Sequence, residues 1–227
     1  MTRALVSSQA PAEALQRLEH YAEVVPFHSG NTTFPPLASH PDLFVFQCGT
    51  QWVVAPNLPQ PYRNLFPTAR VGATPVGDTI NSVSAYNVAA VEGLAVGNPK
   101  AIDPQAVELL NQQNTPLIPV RQGLTRCAAL LISPTAAITS DPGIHKALLA
   151  NGVETLLVSA EPILLPGYKW GCFGGCCGIL GEKVFLLGSL DCHPQGTEIR
   201  QYLERNGKEA VELYAGPLFD GGSIFFV

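Results

Sequence analysis

Charge is scarce in this chain. Asp, Glu, Lys and Arg make up 14% of the 227 residues, with 13 basic side chains against 18 acidic ones. Mild acidity and scattered Lys and Arg argue against nucleic acid as the main partner, which would need a concentrated basic face. Long apolar runs are missing as well. None approaches the roughly 18 residues a membrane span requires, so no membrane partner is expected. The N-terminus lacks a basic segment followed by an apolar one; no signal peptide is expected and the chain reads as cytoplasmic. No glycine run has phosphate-loop spacing, because Gly171 to Gly181 lacks a following helix. A disulfide framework is not expected either. Cys48, Cys127, Cys172, Cys176, Cys177 and Cys192 sit in a chain long and apolar enough to fold without staples.

What the chain does have is repetition. Arg126 to Val158 reads as strand, tight turn, strand, helix, strand. Cys127 to Ile132 is apolar and leads into the turn residues Ser133-Pro134-Thr135, and Ala136 to Thr139 is a second apolar run. Asp141-Pro142 opens a helix, the carboxylate as cap and the proline at the first helical position. Ile144 and Leu148 share one face, Asn151-Gly152 closes the helix, and Thr155 to Val158 is a buried strand. The pattern recurs over Val184 to Leu213, with His193-Pro194 before the helix, and over Val88 to Val120, with Asp103-Pro104. A hairpin at Leu43 to Asn57 starts a further copy. The polar residues closing each second strand are Asn57, Asn98, Ser140 and Ser189, in steps of 41, 42 and 49 residues. Such a period marks units that bury their faces on one another.

The two ends supply a fifth unit. Ile224 to Val227 is a last strand without continuation, and residues 1–30 carry a helix from Pro11 and the short apolar stretch Val24 to Phe27. Pairing the ends would close the sheet edges, as propellers do. The expected fold is α/β: a five-bladed, pseudo-fivefold α/β propeller closed by the N- and C-terminal segments, with residues 1–227 as one domain. An ordinary α/β sandwich with accidental likenesses is the alternative. Residues 58–85 are the least regular stretch, and residues 160–171 are an insertion between units.

In such a ring the start of each first strand lines the central channel. Those starts are Tyr86-Asn87, Arg126-Cys127, Cys172 to Cys177 and Asp220 to Ser223. Asn87, Arg126, Asp220 and Ser223 are therefore the expected ligand-binding residues for a small polar molecule, with mutual capping of strand ends as the plainer alternative. Cys127, Cys176 and Cys177 are the candidate catalytic thiols; a nucleophilic thiol needs a positive neighbour, a helix N-terminus or a histidine base. The Cys172 to Cys177 spacing does not match a two-plus-two zinc pattern, so no metal and no cofactor is expected. His20 and His145 read as solvated helix residues, His193 as a helix-start residue, and His40 as a loop residue, with Asp42 a further candidate for the channel.

The segments HPDLFV (40–45), WVVAPN (52–57), AYNVA (85–89), RCAALLI (126–132), AITSDPGI (137–144), FGGCCG (173–178) and GGSIFF (221–226) resemble, in order and spacing, a bacterial family of unassigned activity in the pentein, or guanidine-group modifying enzyme, fold. The resemblance implies an amidinotransferase-like ring. Its active members attack a guanidinium carbon with a cysteine, aided by histidine and carboxylates. Three of their catalytic positions fall here on Phe225 or Phe226 instead of cysteine, on Phe173-Gly174-Gly175-Cys176 instead of His-x-Asp, and on Asn87 instead of an acid. A ribosome-binding initiation factor shares the fold without catalysis. Three functions follow as expectations: a binder of a guanidino- or ureido-like molecule, a thiol enzyme with a relocated cysteine, or a protein–protein module using the propeller face and the 58–85 loop. Whether the chain is an enzyme, and whether it forms a homo-oligomer, stays open.

Overall fold

The computed structural model describes residues 2–227, apart from the side chains of residues 80 and 81. The chain opens with β1 (Arg3–Ser7), α1 (Ala12–Leu18) and β2 (Glu23–Phe27). The first internal unit is β3 (Val45–Cys48), β4 (Gln51–Val54), the one-turn α2 (Gln60–Arg63) and β5 (Arg70–Val71). After the short α3 (Ile80–Val83) comes the second unit, β6 (Ala89–Val91), β7 (Leu94–Gly97), α4 (Pro104–Gln112) and β8 (Leu117–Pro119). The third unit begins with one helical turn, α5 (Thr125–Ala128), then β9 (Ala129–Ser133), β10 (Ala136–Thr139), α6 (Pro142–Ala150) and β11 (Glu154–Leu157). The fourth is β12 (Cys177–Leu180), β13 (Lys183–Leu186), α7 (Gly196–Arg205) and β14 (Glu209–Glu212), and β15 (Phe225–Phe226) ends the chain.

These strands form five three-stranded sheets of one design. In each internal unit the second strand is central. It pairs antiparallel with the first through a hairpin and parallel with the third through the helix. A parallel pair needs such a crossover, which is why one helix stands in every unit. The fifth sheet has the same plan built from both chain ends: β15 pairs antiparallel with β1, and β1 parallel with β2. Backbone bonds Arg3 N–H to Val227 O (2.9 Å) and Val227 N–H to Arg3 O (2.8 Å) extend that seam.

The helices start as their caps dictate. The Asp141 side chain accepts from Ile144 N–H, and Asp103 accepts from Gln105 N–H. Each helix buries one face: Ile144 and Leu148 on α6, and Ile199, Tyr202 and Leu203 on α7. On α4 the buried residues are Ala106, Leu109 and Leu110, with Val107 only partly covered. Sequence pattern starts the third unit's strand at Cys127; the structure starts it at Ala129 and winds Thr125–Ala128 into a turn of helix. The 58–85 stretch is irregular but pinned. Asn57 exchanges side-chain bonds with the backbone of Val76, and Asp103 Oδ2 accepts from Ala73 and Thr74 N–H. Among the described residues no helix is long and apolar enough to cross a membrane.

Candidate functional site

Each unit opens with a tight turn before its first strand. Pro41–Leu43 and Gly174–Cys176 are 3-10 turns, and Thr125–Ala128 is a helical turn. Tyr86-Asn87 and Asp220–Ser223 hold the matching places in the other two units. These openings meet. Asp42 N–H donates to Gly222 O (3.3 Å), and Ser223 N–H and Gly221 N–H both donate to Gly175 O (2.8 and 3.1 Å). Gly174 lies so close to the third unit that a Cβ there would be 2.3 Å from Arg126 O and 2.7 Å from Ala129 C. Asn87 ties the second unit to the third: its Oδ1 accepts from Arg126 N–H (2.8 Å) and Cys127 N–H (3.1 Å).

Inside this seam sits a polar cluster. His40, Asp42, Asn87, Cys127, Asp220 and Ser223 are all buried. The Cys127 thiol donates to Asp42 Oδ2 at 2.9 Å and accepts from Asn87 Nδ2 at 3.3 Å. His40 Nδ1 is 4.0 Å from the same sulfur. The Ser223 hydroxyl has two acceptors in reach, Asp42 Oδ2 (3.3 Å) and Gly174 O (3.2 Å). Ser223 takes a left-handed backbone, φ 71°, which only the surrounding bonds make tenable for a residue with a side chain. Asp220 accepts from Cys172 N–H (2.8 Å) and Gly222 N–H (3.2 Å). The other Asp42 oxygen, Oδ1, is buried with no hydrogen-bond partner among the described residues. A buried carboxylate oxygen left so costs a few kcal/mol, which makes it the one open acceptor of the cluster.

Electrostatics follow from the packing. Burial, offset in part by His40 and reinforced by Asp42, raises the Asp220 carboxyl to about 6. Burial, then the charges of Asp42 and Asp220, push the Cys127 thiol well above its ordinary value. The same forces raise Cys172 to about 12. Without a bound cation these sulfurs stay protonated.

The predicted residues divide into two groups. Asn87, Cys127, Asp220 and Ser223 belong to the cluster. Cys176 and Cys177 are spent on backbone carbonyls, bonding Cys172 O and Phe173 O. Arg126 turns the other way. Its guanidinium lies 5.5 Å from the Phe225 ring centroid and borders a cavity of about 210 Å3 lined by first strands of all five sheets. His40 is the residue that sequence reading passed over. It does stand in a loop, but the residue is 1% exposed and its Nδ1 faces the thiol. The available signal was position: His40-Pro41-Asp42 precedes β3 just as Asn87 precedes β6. Metal-binding capacity is confined to three of these residues among those described. One ligand atom each from His40, Asp42 and Cys127 lie within 4.8 Å of one another.

A model of a protein family, described as "Family of unknown function (DUF6873)", matches residues 5–225. A search of curated proteins returns no match. Among solved structures the chain is similar to agmatine deiminase from C. jejuni, with 7% identity and a TM-score of 0.48. That match covers 71% of this chain and 60% of the deiminase, so the chain spans less than two thirds of that protein's length.

Proposed function

The chain belongs to this family of unknown function, and from its own site we propose that it binds a small guanidino- or amidino-type cation between Asp42 and Asp220. The observation that carries the reading is the unpartnered Asp42 Oδ1, buried beside a second carboxylate, a thiol and an imidazole. An amidinium offers flat, charged N–H donors that suit paired carboxylates. On this reading the five sheets stand around one axis as pentein-like blades, which fits the shared cavity of their first strands.

Cys127 gives the centre a nucleophile, and a bound cation is what would arm it. Asp42 and Asp220 both raise the thiol; a positive charge between them reverses that push. Cys127 then passes its proton to His40 and its sulfur bonds to the amidinium carbon. The adduct expels the amine, which leaves with the proton from His40. Water hydrolyses the thioimidate and frees the thiol. The half-buried Cys172 and the 160–171 insertion, whose Leu164 O accepts from Asp220 N–H (2.8 Å), flank the cluster.

The test is a thermal-shift panel of guanidine, acetamidine, arginine and agmatine against urea and acetamide. A ligand at about 100 times its dissociation constant adds about 2.7 kcal/mol, or roughly 5–10 °C in a domain of this size. Cations should stabilise, neutral isosteres should not, and Asp42→Asn should lose the effect. Equal shifts from acetamide would sink the reading. A second reading rests on the three ligand atoms within 4.8 Å: His40, Asp42 and Cys127 as ligands to a zinc-like ion. It predicts stabilisation by Zn2+ that is lost in Cys127→Ser and His40→Ala, with no response to amidines.

A further inference from the structure

The cavity bordered by Arg126, lined by none of the cluster residues, has chemistry of its own. Apolar side chains from every sheet line it, Val45, Val88, Leu131, Ile179, Ile224 and Phe225, and they share the surface with about as much polar area. Gln47 and Glu92 stand on or beside the hairpin turns at the other end, and Glu92 is exposed and solvated. Among the described residues Arg126 is the sole cation lining it. Its side chain makes no hydrogen bond or ion pair to any described residue and stands over the Phe225 ring. Burial holds the guanidinium below its ordinary value, while Asp42 on the far side pulls it back without bonding it. The guanidinium nitrogens are not among the buried unpartnered atoms, so they reach the cavity and can meet an anion there with all five donors.

We infer that this cavity binds a small organic carboxylate with a compact apolar body, the carboxylate paired with Arg126 and the body held between the five first strands. A planar guanidinium and a carboxylate match donor to acceptor in two parallel bonds. The size fits as well. A cavity of about 150 Å3 takes a benzene-sized body, and this one is about 210 Å3. Benzoate-sized or short branched acids therefore fit. The site is distinct from the amidine reading in its contacts: the Arg126 guanidinium bonds none of His40, Asp42, Cys127 and Asp220, although the charge of Asp42 reaches it.

The experiment is calorimetric and thermal-shift titration with benzoate, benzamide and benzylamine. Benzoate should bind, in the roughly millimolar range or tighter, and the two isosteres without the negative charge should not. Arg126→Met should weaken benzoate by about tenfold or more, the loss expected for a charged hydrogen-bonded partner. If that variant does not fold, Ala90→Leu fills the wall while leaving the guanidinium, and should also abolish binding. Cys127→Ser should bind benzoate unchanged, which separates this site from the amidine centre. Benzamide binding as well as benzoate, no benzoate binding at all, or benzoate binding that survives both Arg126→Met and Ala90→Leu would each overturn the assignment.

Discussion

Asp220 carries the residue-scale argument furthest. Its carboxyl is raised from 3.8 to about 6, first by burial, so the folded chain holds that proton more tightly than the unfolded one. Stability from this group is complete below about pH 4 and is lost as pH rises through about 6. That difference in proton affinity corresponds to about 3 kcal/mol. Below about pH 4, Asp220→Asn should lower stability by about 1–2 kcal/mol through one spoiled backbone bond, and because Asn cannot ionise the deficit should vanish or reverse above about pH 6 as the profile flattens. Denaturant melts of both proteins across that range check it; parallel profiles would contradict it. Asn87 tests the seam. Its Oδ1 satisfies two backbone N–H groups, and Asn87→Ala should cost about 2–4 kcal/mol. Much of this site is legible in the chain. Asn87, Cys127, Asp220 and Ser223 all stand just ahead of first strands, and repeat position alone points to them. His40 was hidden because the first unit's opening was not aligned with the others. Which way Arg126 faces is not readable from sequence, because a turn of helix replaces the strand whose alternation would have decided it.

At the scale of elements, two aspartates with the same sequence signature do different work. Asp141 and Asp103 both precede a proline and cap a helix. Asp141 also takes one long bond from Gln122 Nε2 (3.2 Å), whereas Asp103 holds Ala73 N–H, Thr74 N–H and the Tyr86 hydroxyl as well as its own helix. Asp141→Ala should cost about 1 kcal/mol, an ordinary cap loss. Asp103→Ala should cost about 3 kcal/mol, since it strands donors on the 72–74 segment; chemical denaturation separates the two. The cap motifs and helix faces could be read ahead of the structure. That the 58–85 stretch is fastened to α4 could not, because the fastening runs through a side chain some 30 positions away. Glycines divide in the same way. A Cβ at Gly174 would strike the backbone of Arg126 and Ala129, while one at Gly181 meets nothing within 4 Å, although its φ of 61° disfavours a side chain. Gly174→Ala should unfold or severely weaken the chain, and Gly181→Ala should cost only about 1 kcal/mol.

For the molecule as a whole, the shared sheet of the two ends is the decisive feature. The repeat period exposed the unit, and the missing pieces of the last unit lay at the start of the chain; β1 itself went unassigned because five residues with no partner in sequence carry no hairpin signal. Since Arg3 and Val227 exchange two backbone bonds, a short linker joining the ends leaves every sheet intact. A circular permutant opened between Gly167 and Tyr168, where Tyr168 is 52% exposed, should fold with a melting point within a few degrees of the parent. The central claim is that Asp42 and Asp220 gather a cation against Cys127. It is tested most directly by alkylation with chloroacetamidine and its neutral isostere chloroacetamide, followed by peptide mass spectrometry. The exposed Cys192 reports each reagent's intrinsic reactivity. Relative to Cys192, Cys127 should be labelled much faster by the cationic reagent than by the neutral one, and Asp42→Asn should erase the difference. Equal relative rates for the two reagents, or no labelling of Cys127 while Cys192 reacts, would contradict the account.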